Sequence, residues 1–387
     1  MAMLHLLAPW ARARGIRLKV ATVDHGLRTQ AGAEAAMVGR ESAGLGIGHD
    51  ILEWRGWRGR GNLQHEARAA RRMLLAGWAR DHGLEAVALA HTRDDQAETF
   101  LMRLARGSGV DGLSAMQPAS RAGGVAWLRP LLRIGRAELR EWLGARGIAW
   151  AEDPSNEDTR FERVRVRKAL GILAELGISQ DGIAATAERM QRARAALDHY
   201  THEAARAIVR LQAGDVLIGA EGLAALPEEI RLRLMAHSLC WVSSADYRPR
   251  LQPLIEALAD VNAGRTRSLH GALMRREGAE IRIFREHAAV IGLKGIPGQP
   301  WDRRWIVTGP ENLAQDNALA VMALGEEGLA QCPDWRETGL PRASLLATPA
   351  VWKGGELLAA PLAGKGRGWQ ARLLHGDGHY FATILSH

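Results

Sequence analysis

Two short apolar runs, each of strand length and each closing on a histidine, constrain this chain more than any other feature. They are "IRLKVATVDHG" at 16–26 and "LEAVALAH" at 84–91. The second is almost wholly apolar, as a strand buried on both faces must be. Between them "NLQHEARAARRMLLAGWARDHG" (62–83) is an Ala- and Arg-rich stretch with the makings of a helix that stops at a glycine. After the second run a helix opens at Thr92, with Ala97, Leu101, Leu104 and Ala105 as its expected inward stripe. "VAWLRPLL" (125–132) then reads as a strand and 135–147 as a helix. Strands alternating with helices of this length predict a doubly wound parallel sheet, and in such α/β sheets ligands lie beyond the carboxyl ends of the strands. Asp24-His25 and the stretch from His91 to Glu98 both fall at such ends.

The chain of 387 residues is long enough for two or three domains, each with its own core. Hydrophobic residues at 47% and charged residues at 24% exclude a disordered chain. A formal net charge of +8 favours a polyanionic partner. Cys240 and Cys332 are far apart and form no CxxC pair, which argues against a disulfide framework or a zinc or iron–sulfur site and fits a reducing cytoplasm. No apolar run reaches the roughly 18 residues of a membrane span. The opening "MAMLHLLAPWARARG" lacks a basic start, and Leu4, Leu7 and Trp10 with Ala8 and Ala11 lie at helical spacing, so it reads as an amphipathic helix.

The expected domains are 1–170, an α/β domain; 171–262, a helical domain rich in Ala, Leu, Arg and Glu with a hinge near 213–229; and 263–387, a small α+β domain. Within the last, 267–286 reads as short strands around a "REG" turn. Gly354-Gly355 marks a hairpin inside 349–362, and 293–300 reads as a linker.

The start of the helix at Thr92 carries Asp94, Asp95 and Glu98. Thr92 at N-cap and Asp95 at N3 make a capping box, and acids in a first turn suit the helix dipole. Three acids exceed what capping requires, however, and Asp95 and Glu98 share one face at i,i+3. Two neighbouring carboxylates repel unless a cation, an ammonium or Mg²⁺, lies between them. The following Gly107-Ser-Gly109-Val-Asp-Gly112 satisfies GxGxxG, but it follows a helix and not a strand, so it reads as a helix end plus turn. Arg68 and Arg71 share one helical face, which suits phosphates or plain solvent equally. "RFERVRVRK" (160–168) is strongly basic, and its "RVRVR" alternation suits an edge strand.

"VDHGLR" (23–28), "HTRDDQAET" (91–99) with "RLARGSGVDGL" after it, "LRPLL" (128–132) and "WAEDPSNEDTRFERVRVR" (150–167) occur in an order and spacing that resemble the tRNA(Ile)-lysidine synthetases, ATP-pyrophosphatases of the bacterial cytoplasm. The resemblance covers about residues 1–170. It implies an adenine nucleotide α-hydrolase-like sheet and an enzyme that adenylates C2 of the wobble cytidine of a CAU-anticodon tRNA(Ile) with ATP, releasing pyrophosphate. L-lysine then displaces AMP to give lysidine. By this resemblance Asp95 and Glu98 hold lysine, and an acid of this group relieves the amine of a proton. Asp94 completes the catalytic set by orienting ATP or Mg²⁺. Asp24, His25, His91, Arg68 and Arg71 line the nucleotide, and Arg160, Arg163 and Arg167 lie on a helix that meets the tRNA. Homodimers are the family's assembly.

The family also has a first strand and a Ser-Gly-Gly-x-Asp-Ser loop whose amides hold the pyrophosphate end of ATP. No such stretch occurs here, and Met1 aligns with the residues just after that loop. The expectation is that a start codon has been set too far downstream, and that the chain as written folds poorly and binds ATP weakly. A noncatalytic tRNA-binding remnant is the alternative, as is another tRNA-modifying enzyme of the same superfamily such as a thiolase. The cysteines, both outside the catalytic region, speak against the thiolase.

Overall fold

The computed structural model describes residues 1–26, 31–55, 63–151, 162–310 and 318–385. The chain folds as two compact units, 1–195 and 196–387.

In the first unit α1 (Ala2–Ala13) precedes β1 (Val20–Asp24), α2 (Ala31–Gly44), β2 (His49–Glu53), α3 (Leu63–Asp81) and β3 (Ala86–Ala88). There follow α4 (Arg93–Leu104), α5 (Val110–Leu113), β4 (Ala119–Ala122), β5 (Val125–Leu128), α6 (Arg136–Gly144), α7 (Glu162–Glu175) and α8 (Gln180–Ile208), within which the units divide. β1 pairs with β2 and β3 with β5, both in parallel, as the strand–helix alternation requires. The expected single parallel sheet is present only in pieces. Among the described residues β1–β2 and β3–β5–β4 are separate sheets, and β4 joins β5 antiparallel. α3 bridges the pieces: Leu75, Ala76, Ala79 and Trp78 pack against Val23 and Leu52 under one sheet and against Val87, Val125 and Trp127 under the other.

Three local readings differ. β3 is only three residues long and buries only Val87, because Ala86 faces solvent beside an unpaired edge. The strand expected over 125–132 ends at Leu128, where Pro130 has no N–H for a ladder. The inner face of α4 is Ala97, Phe100 and Leu101, while Leu104 and Ala105 are exposed. The helix is ending there, and Arg103 turns inward to the carbonyls of Gly112 and Ala115. Gly107, with φ +68°, closes α4 in the left-handed region that glycine adopts without strain, so the GxGxxG stretch is a helix terminus and turn. The "RVRVR" segment is part of the helix α7 and not an edge strand.

The second unit opens with β6 (Val209–Gln212) and β7 (Asp215–Gly219), a hairpin where the sequence suggested a hinge in a helical region. Ala213 and Gly214, both at positive φ, form its two-residue turn. The hairpin joins β10 (Glu280–Arg285), β9 (Ala272–Glu277) and β8 (Arg267–Leu269) in a five-stranded antiparallel sheet. Val216, Ile218, Met274 and Ile281 of that sheet pack against Leu234, Met235 and Leu239 of a helix over Glu228–Ser243. Two three-stranded sheets follow, built around Trp301, Trp305 and Trp352. The Gly354-Gly355 hairpin forms as expected, between Pro349–Lys353 and Glu356–Ala359.

Candidate functional site

Two helix N-termini dock against each other at the carboxyl end of β3. The amide of Arg93, first residue of α4, donates to the carbonyl of Ile134 at 3.0 Å. The amide of Arg136, first residue of α6, donates to Asp94 Oδ2 at 2.7 Å. Gly135 precedes α6, and a Cβ there would lie 2.6 Å from both Arg93 Nη2 and Glu138 Oε2, so a side chain would have to displace that pair. These two groups meet over the glycine at 2.7 Å. Asp94 is thereby committed to holding α6.

Asp95 does cap its helix: Oδ2 accepts from the Thr92 amide and hydroxyl, both at 2.8 Å. Its other oxygen, Oδ1, accepts from Arg136 Nη2 at 3.1 Å. One turn on, Glu98 is 1% exposed, and its Oε1 lies 2.6 Å from Arg167 Nε and 3.5 Å from Arg136 Nη2. Glu98 Oε2 accepts no hydrogen bond among the described residues; Arg163 Nε stands 4.0 Å away. The cation that two adjacent acids demand is thus supplied here by arginines. Burial alone would raise the Asp95 carboxyl, but the Thr92 amide, Arg136, the Thr92 hydroxyl and Arg163 overrule it and hold the group below its ordinary range.

His91 follows β3, partly buried, with Nδ1 unpartnered among the described residues. Burial pushes its pKa down to about 4 against the pull of Asp95, and Arg129, Arg163 and Arg68 push the same way. At the end of β1, Asp24 Oδ1 accepts from the Gly26 amide at 2.8 Å, and His25 lies edge-on to Trp54 at 5.6 Å. Burial and then Arg71 lower the His25 pKa, opposed by Asp24. Arg68 and Arg71 keep solvent access, yet loss of hydration lowers both guanidinium pKa values; Arg163 and Arg72 add to the effect at Arg68. Arg71 of α3 is thus felt electrostatically at His25, and Arg68 at His91.

Of the residues expected from sequence, Asp95, Glu98, His91, Arg68, Arg163 and Arg167 come together in one electrostatic cluster. Asp24, His25 and Arg71 form a second group at the end of β1, and Arg160 lies outside the described residues. Two residues were missed. Arg136 is one; a cation in the first turn of a helix runs against the dipole, and that mismatch was its signal. Arg129, 7% exposed with Nε unpartnered among the described residues, is the other; its signal was a charge set inside the apolar "LRPLL". No group of three His, Cys, Asp or Glu side chains suited to a metal occurs among the described residues.

The PP-loop domain family matches residues 1–173. A tRNA(Ile)-lysidine synthase from Ruegeria pomeroyi is 49% identical over 386 residues, covering 100% of this chain and 91% of the relative. One from Methylobacterium nodulans is 42% identical, covering 70% of this chain and 83% of its own, and one from Wolbachia pipientis is 37% identical, covering 79% and 73%. With a PP-loop domain match over residues 1–173 and near-half identity along the whole length, the chain belongs to the tRNA(Ile)-lysidine synthase family.

Proposed function

We propose that this ATP-using ligase joins L-lysine to C2 of the wobble cytidine of a CAU-anticodon tRNA(Ile), with Asp95 and Glu98 receiving the lysine. ATP adenylates the cytidine and releases pyrophosphate; the lysine amine then forms the new carbon–nitrogen bond and AMP departs. The observation that carries the residue assignment is the buried Glu98 beside Asp95, two carboxylates on one helical face at a strand's carboxyl end. Asp95, held below the ordinary carboxylate range, is a permanent anion at neutral pH and a poor proton acceptor. Its part is to bind an ammonium, not to deprotonate an amine.

His25 with Arg71, and His91 with Arg68, flank the nucleotide in this reading, with Asp24 shaping the turn after β1. Arg163 and Arg167, and Arg160 before them, meet the tRNA. Asp94, Asp95 and Glu98 have oxygens on Arg136, Thr92 and Arg167, which does not suit a protein cage for Mg²⁺; the ion would enter on the nucleotide's own phosphates. No helix among the described residues is long and apolar enough to cross a membrane, and the work is assigned to the cytoplasm. Homodimerisation is a further part of the reading, open to a sedimentation measurement.

Asp95→Asn and Glu98→Gln test the assignment. Pyrophosphate release that depends on tRNA should persist in both variants, while lysine transfer falls by about ten- to a hundredfold, the scale of lost charge-assisted bonds. Equal loss of both steps, or of neither, would refute it.

A further inference from the structure

Two carboxylates explain why an amine binds, but not why an amino acid does. They would accept cadaverine, which is lysine without its carboxylate, as readily as lysine. Selecting an amino acid requires a cation set as close to the acids as the carboxylate of the ligand is to its α-ammonium, about one hydrogen-bond length. Arg136 stands there: Nη2 donates to Asp95 Oδ1 at 3.1 Å and lies 3.5 Å from Glu98 Oε1, within ion-pair reach of both acids. Its Nε and Nη1 have no partner among the described residues, and 34% of the side chain is open to solvent. The main chain fixes its position, because Asp94 holds the Arg136 amide at 2.7 Å. A cation at the first position of α6 gains nothing from the helix dipole, so its placement answers to the acids.

We infer that Arg136 determines the specificity of the lysine site, taking the α-carboxylate while Asp95 and Glu98 take the α-ammonium and the side-chain amine is left free as nucleophile. The inference rests on the lysine reading of the two acids. Charge balance favours it. Among the described residues Arg136, Arg163 and Arg167 surround Asp95 and Glu98, so a diamine would bring two further positive charges up to three guanidinium groups. The α-end of lysine brings one charge of each sign. Its carboxylate can take N–H donors of Arg136 that Asp95 leaves open, a planar set of donors that a lysine side chain cannot reproduce.

The test is ligand-observed NMR titration of the full chain with L-lysine, L-lysinamide and cadaverine, on the wild type, Arg136→Gln, Arg136→Lys and Glu98→Gln. The wild type should prefer lysine to the other two by at least about tenfold. Arg136→Gln should bring that ratio near one by weakening lysine alone, and Arg136→Lys, which keeps the charge and loses the fork, should fall between. A ratio unchanged in both Arg136 variants, or no preference in the wild type, would overturn the inference. If the ratio is unchanged but Glu98→Gln still abolishes lysine binding, the lysine reading stands and Arg136 merely neutralises the acids. Lysine binding that is absent, or indifferent to Glu98→Gln, removes the lysine reading and the inference with it.

Discussion

Asp95 divides its carboxylate between two tasks, one oxygen closing the first turn of α4 and the other facing Arg136. Helix capping and ligand binding are thus not rivals at this residue. Glu98 has no capping duty, and its burial among guanidinium groups makes it the more sensitive of the pair. Glu98→Gln should destabilise the first unit by about 1–3 kcal/mol, less than a fully buried pair would lose because the arginines reach solvent. A urea melt that leaves the midpoint unchanged would contradict this. His91 supplies a pH signature. Its folded pKa of about 4 lies below the ordinary 6.5, so as pH falls through 6.5 the unfolded chain takes up a proton that the folded one refuses. Stability should drop progressively from about pH 6.5 to pH 4, and His91→Gln should flatten that part of the curve. The acids were legible in the sequence because they exceed what a cap requires. Arg136 was not, because it lies 41 residues from Asp95 and only the docking of two helix starts brings them together.

At the scale of elements, α7 carries Arg163 and Arg167 one turn apart and packs Val166 and Leu170 against Ala97 and Phe100 of α4. The alternating arginines suggested an edge strand. The apolar spacing of Val166 and Leu170 outweighs that alternation, because a helix buries both on one side. The two arginines should behave differently. Arg167 Nε bonds Glu98 at 2.6 Å, whereas Arg163 Nε stands 4.0 Å off and is the freer to meet a phosphate. Arg163→Ala should reduce the slope of log affinity for tRNA against log salt by about one, while Arg167→Ala should reduce it less and also weaken lysine use. Identical salt slopes for Arg163→Ala and the wild type would remove the phosphate contact. The strands were legible as apolar runs, but their lengths were not. β3 keeps three residues and β5 four because their flanks meet solvent and a proline instead of another strand.

For the whole molecule, the α/β order of the first unit was readable from alternating apolar runs, and two hairpins of the second from the glycines at Gly278 and Gly354-Gly355, while the β6–β7 hairpin was read as a hinge. The point at which the units divide was not, since α8 runs through it for 29 residues without punctuation. A net charge of +8 suits the tRNA that the family's activity requires, but charge alone does not choose among tRNAs. The most direct measurement is transfer of labelled lysine, with ATP, to a CAU-anticodon tRNA(Ile) transcript and to one with a different anticodon. The account predicts that the protein labels the CAU transcript only, and that Asp95→Asn or Glu98→Gln sharply reduces the labelling. A folded protein that binds ATP and the CAU transcript yet transfers no lysine, or transfers it undiminished without those carboxylates, would contradict it.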